Sequence, residues 1–228
     1  VYVNEGHLLK ALLTLNVVTG FYQRMAGKSF EPRNDPARLI TGGMMLKKTV
    51  IWGSREGFGS EYLELTIFNN EIKVNSTVIF LDDHSPYKVD FQVWLNHNWE
   101  MKQLDVSISN GKSLRLSSDG KGRWFDIKGQ ELHDLSGAID IDLSCTPFTN
   151  SLPINRKKWR LDQPQEFEMV FISVPDLAFR KVHQSYEWIQ KTGEKRKFCY
   201  RSDTYETVLE VDSYGLVVDY PEVFTRMY

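Results

Sequence analysis

The sequence predicts an all-β protein: an antiparallel meander of about 11–13 short strands, curled into a spiral β-roll or an incompletely closed barrel. Three observations carry this. From Ile51 onward apolar residues recur at every second position, the period of a half-buried strand. The alternating runs are separated by short turns rich in Asn, Asp and Gly, and short connections make neighbouring strands antiparallel. A sheet with so many strands does not stay flat, because the twist of each strand accumulates.

Taken in order, Leu63, Leu65 and Ile67 form one face of a first run. Asn69-Asn70 ends it, a pair that tolerates positive φ. Ile72, Val74 and then Val78 to Leu81 make the next run. Tyr87, Val89, Phe91 and Val93 alternate with Lys88, Asp90 and Gln92 before the turn Asn96-His97-Asn98. Leu104, Val106 and Ile108 lead to Asn110-Gly111, the strongest hairpin signal in the chain. Leu114 and Leu116, the turn Asp119-Gly120-Lys121-Gly122 and a short strand from Arg123 to Lys128 follow. Ile139, Ile141 and Leu143 alternate with Asp140 and Asp142. Phe167 to Val174 is apolar on both faces, which predicts a central strand. Val182 to Gln190 and Arg196 to Ser202 flank a charged hairpin tip, and Val208 to Asp212 and Leu216 to Tyr220 close the chain.

Residues 1–43 read differently. Leu8, Leu9, Leu12, Leu13 and Leu15 have the spacing of a short N-terminal helix, and Lys28 to Gly43 carries Pro32, Pro36, Gly42 and Gly43 like a linker or tail. Two readings stay open: a helix that lids the β domain, or a non-native leader ahead of Met44-Met45-Leu46-Lys47-Lys48, which looks like an ordinary start. Residues 44–228 then form a single β-roll domain.

The chain of 228 residues is 41% hydrophobic and 13% aromatic, enough for a sizeable core. A net charge of -2 supplies no field that draws nucleic acid or an anionic membrane. No apolar run reaches the roughly 20 residues of a transmembrane segment. Leu8 to Val18 is interrupted by Lys10, Thr14 and Asn16, and it lacks the basic flank of a signal peptide. Cys145 and Cys199 stand outside any paired motif, which argues against structural zinc. With no targeting signal, reduced cysteines place the protein in the cytoplasm. His7, His84, His97, His133 and His183 show no metal spacing, and no cofactor fingerprint is present.

No catalytic motif stands out. Gly53-Ser54-Arg55-Glu56-Gly57-Phe58-Gly59 has the glycines of a phosphate loop but not its Gly-Lys-Ser/Thr ending, and no amphipathic helix follows. A plain turn is the simpler reading. Asp140 and Asp142 share one face of a strand, about 7 Å apart by strand rise. With Arg123 they form the constellation an enzyme of unknown reaction would use, if the three converged in an open cleft. Otherwise they are the polar face of an alternating strand.

One segment breaks the alternation. Thr146-Pro147-Phe148-Thr149-Asn150-Ser151-Leu152-Pro153-Ile154 has two prolines and no charge, so it holds a defined irregular shape and does not pair as a strand. It is either a crossover that plugs the fold, with Phe148 and Leu152 as core, or the wall of a ligand pocket. Arg156, Lys157, Lys158 and Arg160 follow, a solvated edge or a receiver for an anionic head group.

Three stretches together resemble a known family. They are Ser117-Ser118-Asp119-Gly120-Lys121-Gly122-Arg123-Trp124, then Asp140-Ile141-Asp142-Leu143 with Thr146 to Ile154, then Val211-Asp212, Gly215-Leu216-Val217 and Asp219-Tyr220-Pro221. They look like the bacterial putative glycolipid-binding family, formerly a domain of unknown function, over Ile51 to Tyr228. The resemblance implies a spiral β-roll akin to carriers that shelter acyl chains, and it carries no catalytic residues. The family's Asn-Thr-Leu-Pro-Ile-Arg-Arg pattern here reads Asn150-Ser151-Leu152-Pro153-Ile154-Asn155-Arg156, so one basic position is replaced.

The expectation is therefore a non-catalytic protein that binds a glycolipid or another amphipathic small molecule. Arg123, Trp124, Asp140, Asp142, Thr146, Phe148, Asn150 and Arg156 are the candidate ligand contacts. Trp94, Trp99, Tyr186 and Trp188 join Trp124 and Phe148 as candidate walls. This reading predicts an apolar cavity of at least about 300 Å³. A solid core with a large exposed apolar patch would instead mark a self-associating module.

Overall fold

Alternation does its expected work in the first half of the chain. The structure, a computed structural model, describes residues 45–228, so the helix and tail expected over residues 1–43 lie outside the described residues. The described residues all belong to one compact unit. Seven strands follow one another as hairpins: β1 (Leu46–Ser54), β2 (Gly59–Phe68), β3 (Glu71–Asp82), β4 (Ser85–Asn96), β5 (Met101–Ile108), β6 (Ser113–Ser118) and β7 (Trp124–Phe125). Asn69 and Asn70 take φ 48 and 63, the left-handed pair that closes a two-residue hairpin without splaying its strands. Asn96 ends β4 by accepting the Asn98 and Glu100 amides on its Oδ1, at 2.9 and 3.0 Å.

The second half adds β8 (Asp140–Leu143), β9 (Pro164–Ile172), β10 (Phe179–Thr192), β11 (Lys195–Ser202), β12 (Tyr205–Val211), β13 (Val217–Tyr220) and β14 (Phe224–Arg226). All fourteen form one sheet in the order β7-β6-β5-β4-β3-β2-β1-β14-β13-β12-β11-β10-β9-β8. Two meanders are thus joined where β14 pairs with β1, Trp52 opposite Arg226. The count exceeds the sequence expectation because β1 and β14 are not among the expected runs; β14 spans only 3 residues, too few to show a period, whereas the short strand expected from Arg123 to Lys128 is present as β7. Phe167 to Val174 lies within or just beyond β9, which is flanked by β8 and β10 as predicted for a central strand.

One pair departs from the antiparallel rule. β8 and β9 run parallel, Asp140 opposite Met169. Parallel neighbours need a long crossover, and residues 144–163 supply it. The crossover contains a 3-10 turn, Pro147–Asn150, and the short helix α1 (Ser151–Arg156). The segment expected to be irregular is therefore helical. Its prolines permit this: Pro147 sits at the start of the 3-10 turn and Pro153 in the first turn of α1, where the missing N–H has no intrahelical partner to lose. Thr146 caps it, its Oγ1 accepting the Phe148 amide at 3.0 Å.

The sheet curls without closing into a barrel; β7 and β8 are its edges. The Trp124 indole donates to the Ala138 carbonyl at 2.7 Å and the Gly137 amide to the Gly122 carbonyl at 2.9 Å. These bonds tie the β7 edge to the segment that leads into β8. Inside the curl lie two apolar clusters. One gathers Trp52, Phe91, Trp124 and Leu104 with Phe148 and Leu152 of the crossover. The other gathers Phe167, Tyr186, Phe198 and Leu209 with Ile154. The crossover feeds both, so it fills the interior, each fully buried large side chain contributing about 1.5–3 kcal/mol.

Candidate functional site

β8 places its side chains alternately in two environments. Ile141 and Leu143 join the first apolar cluster. Asp140 and Asp142 face the other way, where α1 and β10 supply their partners. Arg156 grips Asp140 from two nitrogens, Nη2 to Oδ2 at 2.6 Å and Nε to Oδ1 at 3.1 Å. The pair is deeply buried, with side chains 8% and 0% exposed, and the guanidinium also stands over the Phe167 ring. Burial raises the Asp140 carboxyl above the usual range while Arg156 pulls it back. Asp142 accepts from Gln184 Nε2 at 2.6 Å. Burial raises it too, opposed by the Gln184 and Thr149 bonds. The Tyr186 hydroxyl donates to Asn150 Oδ1 at 2.8 Å, and Asn150 Nδ2 donates to the Pro147 carbonyl at 3.2 Å. This network pins the crossover to β8 and β10, and every member is satisfied from within the protein.

The remaining candidates scatter. Arg123 is exposed and pairs with Asp119 at 2.9 Å. The convergence of Arg123 with Asp140 and Asp142 that an enzyme would need is absent. Trp124, Phe148 and Tyr186 are core, at 0–1% exposure. Trp94 lies beneath the Lys73 ammonium, Trp99 packs against the first cluster, and Trp188 packs against the second. None of the expected wall residues lines either the cavity that holds Glu61 or the groove that passes Asp90 and Arg115. Phe148 and Leu152 of the crossover are themselves fully buried members of the first apolar cluster.

The open space lies elsewhere, at one end of the inner face formed by β1, β2, β3 and β14. A cavity of about 200 Å³ is walled by Trp52, Val78, Phe80, Val174 and Phe224. It falls below the 300 Å³ expected of a site that swallows a whole ligand. Its rim is the β1–β2 hairpin, the plain turn expected from Gly53 to Gly59, with Phe58 64% and Leu81 51% exposed beside the opening. Ser144 and Cys145, at the head of the crossover, close the other side.

Glu61 lines this cavity, and sequence reading missed it. It is 2% exposed. Ser76 Oγ donates to its Oε1 at 2.7 Å, and its Oε2 has no hydrogen-bond partner. Burial pushes its pKa up from 4.5 to about 7, opposed in part by the Ser76 and Thr146 hydroxyls. Thr146 is the one sequence-chosen candidate that acts on this acid. The missed signal was phase: Glu61 stands two residues before Leu63, on the same face as Leu63 and Leu65.

A larger groove of about 650 Å³ runs past Asp90, Gln92, Asp105, Arg115, Asp126 and Phe179. Its charges are already spent. Arg115 chelates Asp105 at 2.6 and 2.8 Å, Asp90 takes Thr77 and Lys88, and Asp126 takes the Lys128 and Gln130 amides. The smaller cavity alone holds an unpartnered buried group, and that makes it the better site. No group of His, Cys, Asp and Glu suited to a metal ion occurs among the described residues.

The sequence profile of a family described as putative glycolipid-binding matches residues 49–226. A crystal structure of a DUF1089 family protein from Pseudomonas aeruginosa is similar, with 28% identity and a TM-score of 0.66, over 73% of this chain and 92% of that one. No curated protein matches the chain. With the profile spanning both meanders, the crossover and the cavity, the chain belongs to the putative glycolipid-binding family.

Proposed function

We propose that the protein is a non-catalytic binder of a glycolipid or another amphipathic small molecule, and that the cavity beside Glu61 receives the head of that molecule. The carrying observation is the combination of apolar walls, an exposed apolar rim at Phe58 and Leu81, and one buried carboxyl with an unused oxygen. Such a site gains free energy from apolar burial and orientation from a single polar contact. At about 200 Å³ it suits a head group or the first part of a ligand, with the remainder lying along the rim. The family's description points to the same ligand class. The reading includes a cytoplasmic location, supported by two free thiols, Cys145 and Cys199.

Native mass spectrometry of gently purified protein tests this, together with titration of hexyl glucoside followed by tryptophan fluorescence. A co-purifying amphiphile, or saturable binding weakened about tenfold by Phe58→Asp, is the expected result. Absence of both a bound amphiphile and saturable binding overturns the reading.

A further inference from the structure

We infer that the head group accepted by this cavity carries a primary amine, which Glu61 receives on its free oxygen. The inference rests on the binding reading above and adds the chemistry of the ligand. An amphiphile's amine comes from an alkylamine or from an amino sugar, and both present the same N–H donors.

Four observations lead there. Glu61 is a buried acid with the Ser76 and Thr146 hydroxyls beside it, Ser76 donating to Oε1 at 2.7 Å, while Oε2 has no hydrogen-bond partner, so that one oxygen lacks a donor. No Lys, Arg or His lines the cavity; its other titratable groups are the Cys145 thiol and, toward the rim, Glu56. The two guanidiniums beside the walls are committed: Arg55 to Asp219 at 2.6 Å, and Arg226 to Asp212 at 2.7 Å and to the Leu216 and Val217 carbonyls. The walls add the rings of Trp52, Phe80 and Phe224, surfaces that attract cations. An anionic head group would meet two acids and no cation, so phosphate and carboxylate are disfavoured. A neutral sugar hydroxyl satisfies Glu61 only as one neutral donor. An ammonium supplies three donors and the counter-charge that makes the buried carboxylate stable.

The groups facing Glu61 also set how binding depends on pH. From β3 comes Ser76, from β1 Trp52, from the crossover Cys145 and Thr146, and from the hairpin Glu56. None is a base that would take Glu61's proton. An amine must therefore bind the ionised form, in competition with protons. With the acid titrating near 7, its affinity falls about tenfold from pH 8 to pH 6.

The test uses matched six-carbon probes on the full chain by isothermal titration calorimetry: hexylamine, hexyl glucosaminide, hexyl glucoside and hexanoate. The two amines are expected to bind at least tenfold tighter than hexyl glucoside at pH 7.5, and hexanoate not to bind. Whichever amine binds tighter identifies the source. Glu61→Gln, isosteric and uncharged, is expected to erase both the preference and the pH dependence. Carbon-13 NMR of the labelled Glu61 carboxyl provides a readout in the wild-type protein: saturating hexylamine should lower its midpoint. Equal binding of amine and glucoside, or an amine preference that survives Glu61→Gln, overturns the inference and leaves the binding function standing. No binding of any probe overturns the inference, and together with the absence of a co-purifying amphiphile it overturns the binding function as well.

Discussion

Glu61 shows how a single side chain sets both a site and a cost. A buried carboxylate without a cation is unfavourable, so the folded protein holds this proton more tightly than the unfolded chain does. The folded value of about 7 lies above the ordinary 4.5, so the folded state binds more protons between these limits. The contribution is fully present below pH 4.5, declines as pH rises through 7, and is level above. A rise of that size corresponds to about 3 kcal/mol. Urea denaturation of the unliganded protein at pH 5 and pH 8 is expected to show this loss. Glu61→Gln should flatten it and leave the variant the more stable protein at pH 8. A wild-type profile no steeper than that of the variant refutes the assignment. Arg156 has the opposite logic. Its partner Asp140 is fully buried, so Arg156→Ala strands a charge and is expected to cost about 3–5 kcal/mol. Replacing both, Asp140→Leu with Arg156→Met, should recover most of that loss. If the double variant is as unstable as the single one, the pair is more than compensated charge.

Among the elements, the crossover decides what the curl contains. Its composition announced that it was no strand, and Phe148 and Leu152 were legible as core. Its helical form was not legible. Six residues of α1 are too few for a 3.6-residue period to declare itself, and two prolines argue against helix until their first-turn positions are known. The parallel pairing of β8 was hidden for a related reason. Register between strands separated by a crossover depends on which edge the chain returns to, and alternation carries no information about that. Alternation did reveal which residues share a face, and it placed Glu61 on the apolar face of Leu63 and Leu65. It could not say that opposite faces meet tightly over Phe148 and stand apart over Glu61. Because the crossover serves both clusters, Phe148→Ala is expected to destabilise the whole domain by about 3–5 kcal/mol. Urea unfolding should shift its midpoint with an unchanged slope. A second, separate transition would show that the two clusters unfold independently.

At the scale of the molecule, an open fourteen-stranded sheet must be held in its curl by something other than strand pairing. Two ties do this near the β7 edge: the Trp124 indole on the Ala138 carbonyl and the Gly137 amide on the Gly122 carbonyl. The second requires two backbones to touch. Gly122 has φ +100, and a Cβ there would lie 3.1 Å from the Gly137 Cα and 3.2 Å from its nitrogen. Neither atom is the end of a flexible side chain, so the clash cannot be relieved locally, and the backbone angle is itself strained for any other residue. Gly122→Ala is therefore expected to cost more than about 1 kcal/mol. Where the loss appears matters more than its size. Hydrogen exchange should quicken in β6, β7 and the 133–139 segment, while β10, β11 and β12 keep their protection, because the tie closes one edge and leaves the second meander untouched. The cavity lies among β1, β2, β3 and β14, away from that edge, so probe binding should survive the substitution. Uniformly faster exchange would mean instead that the curl is a single cooperative unit, and loss of binding would mean that the cavity depends on its closure.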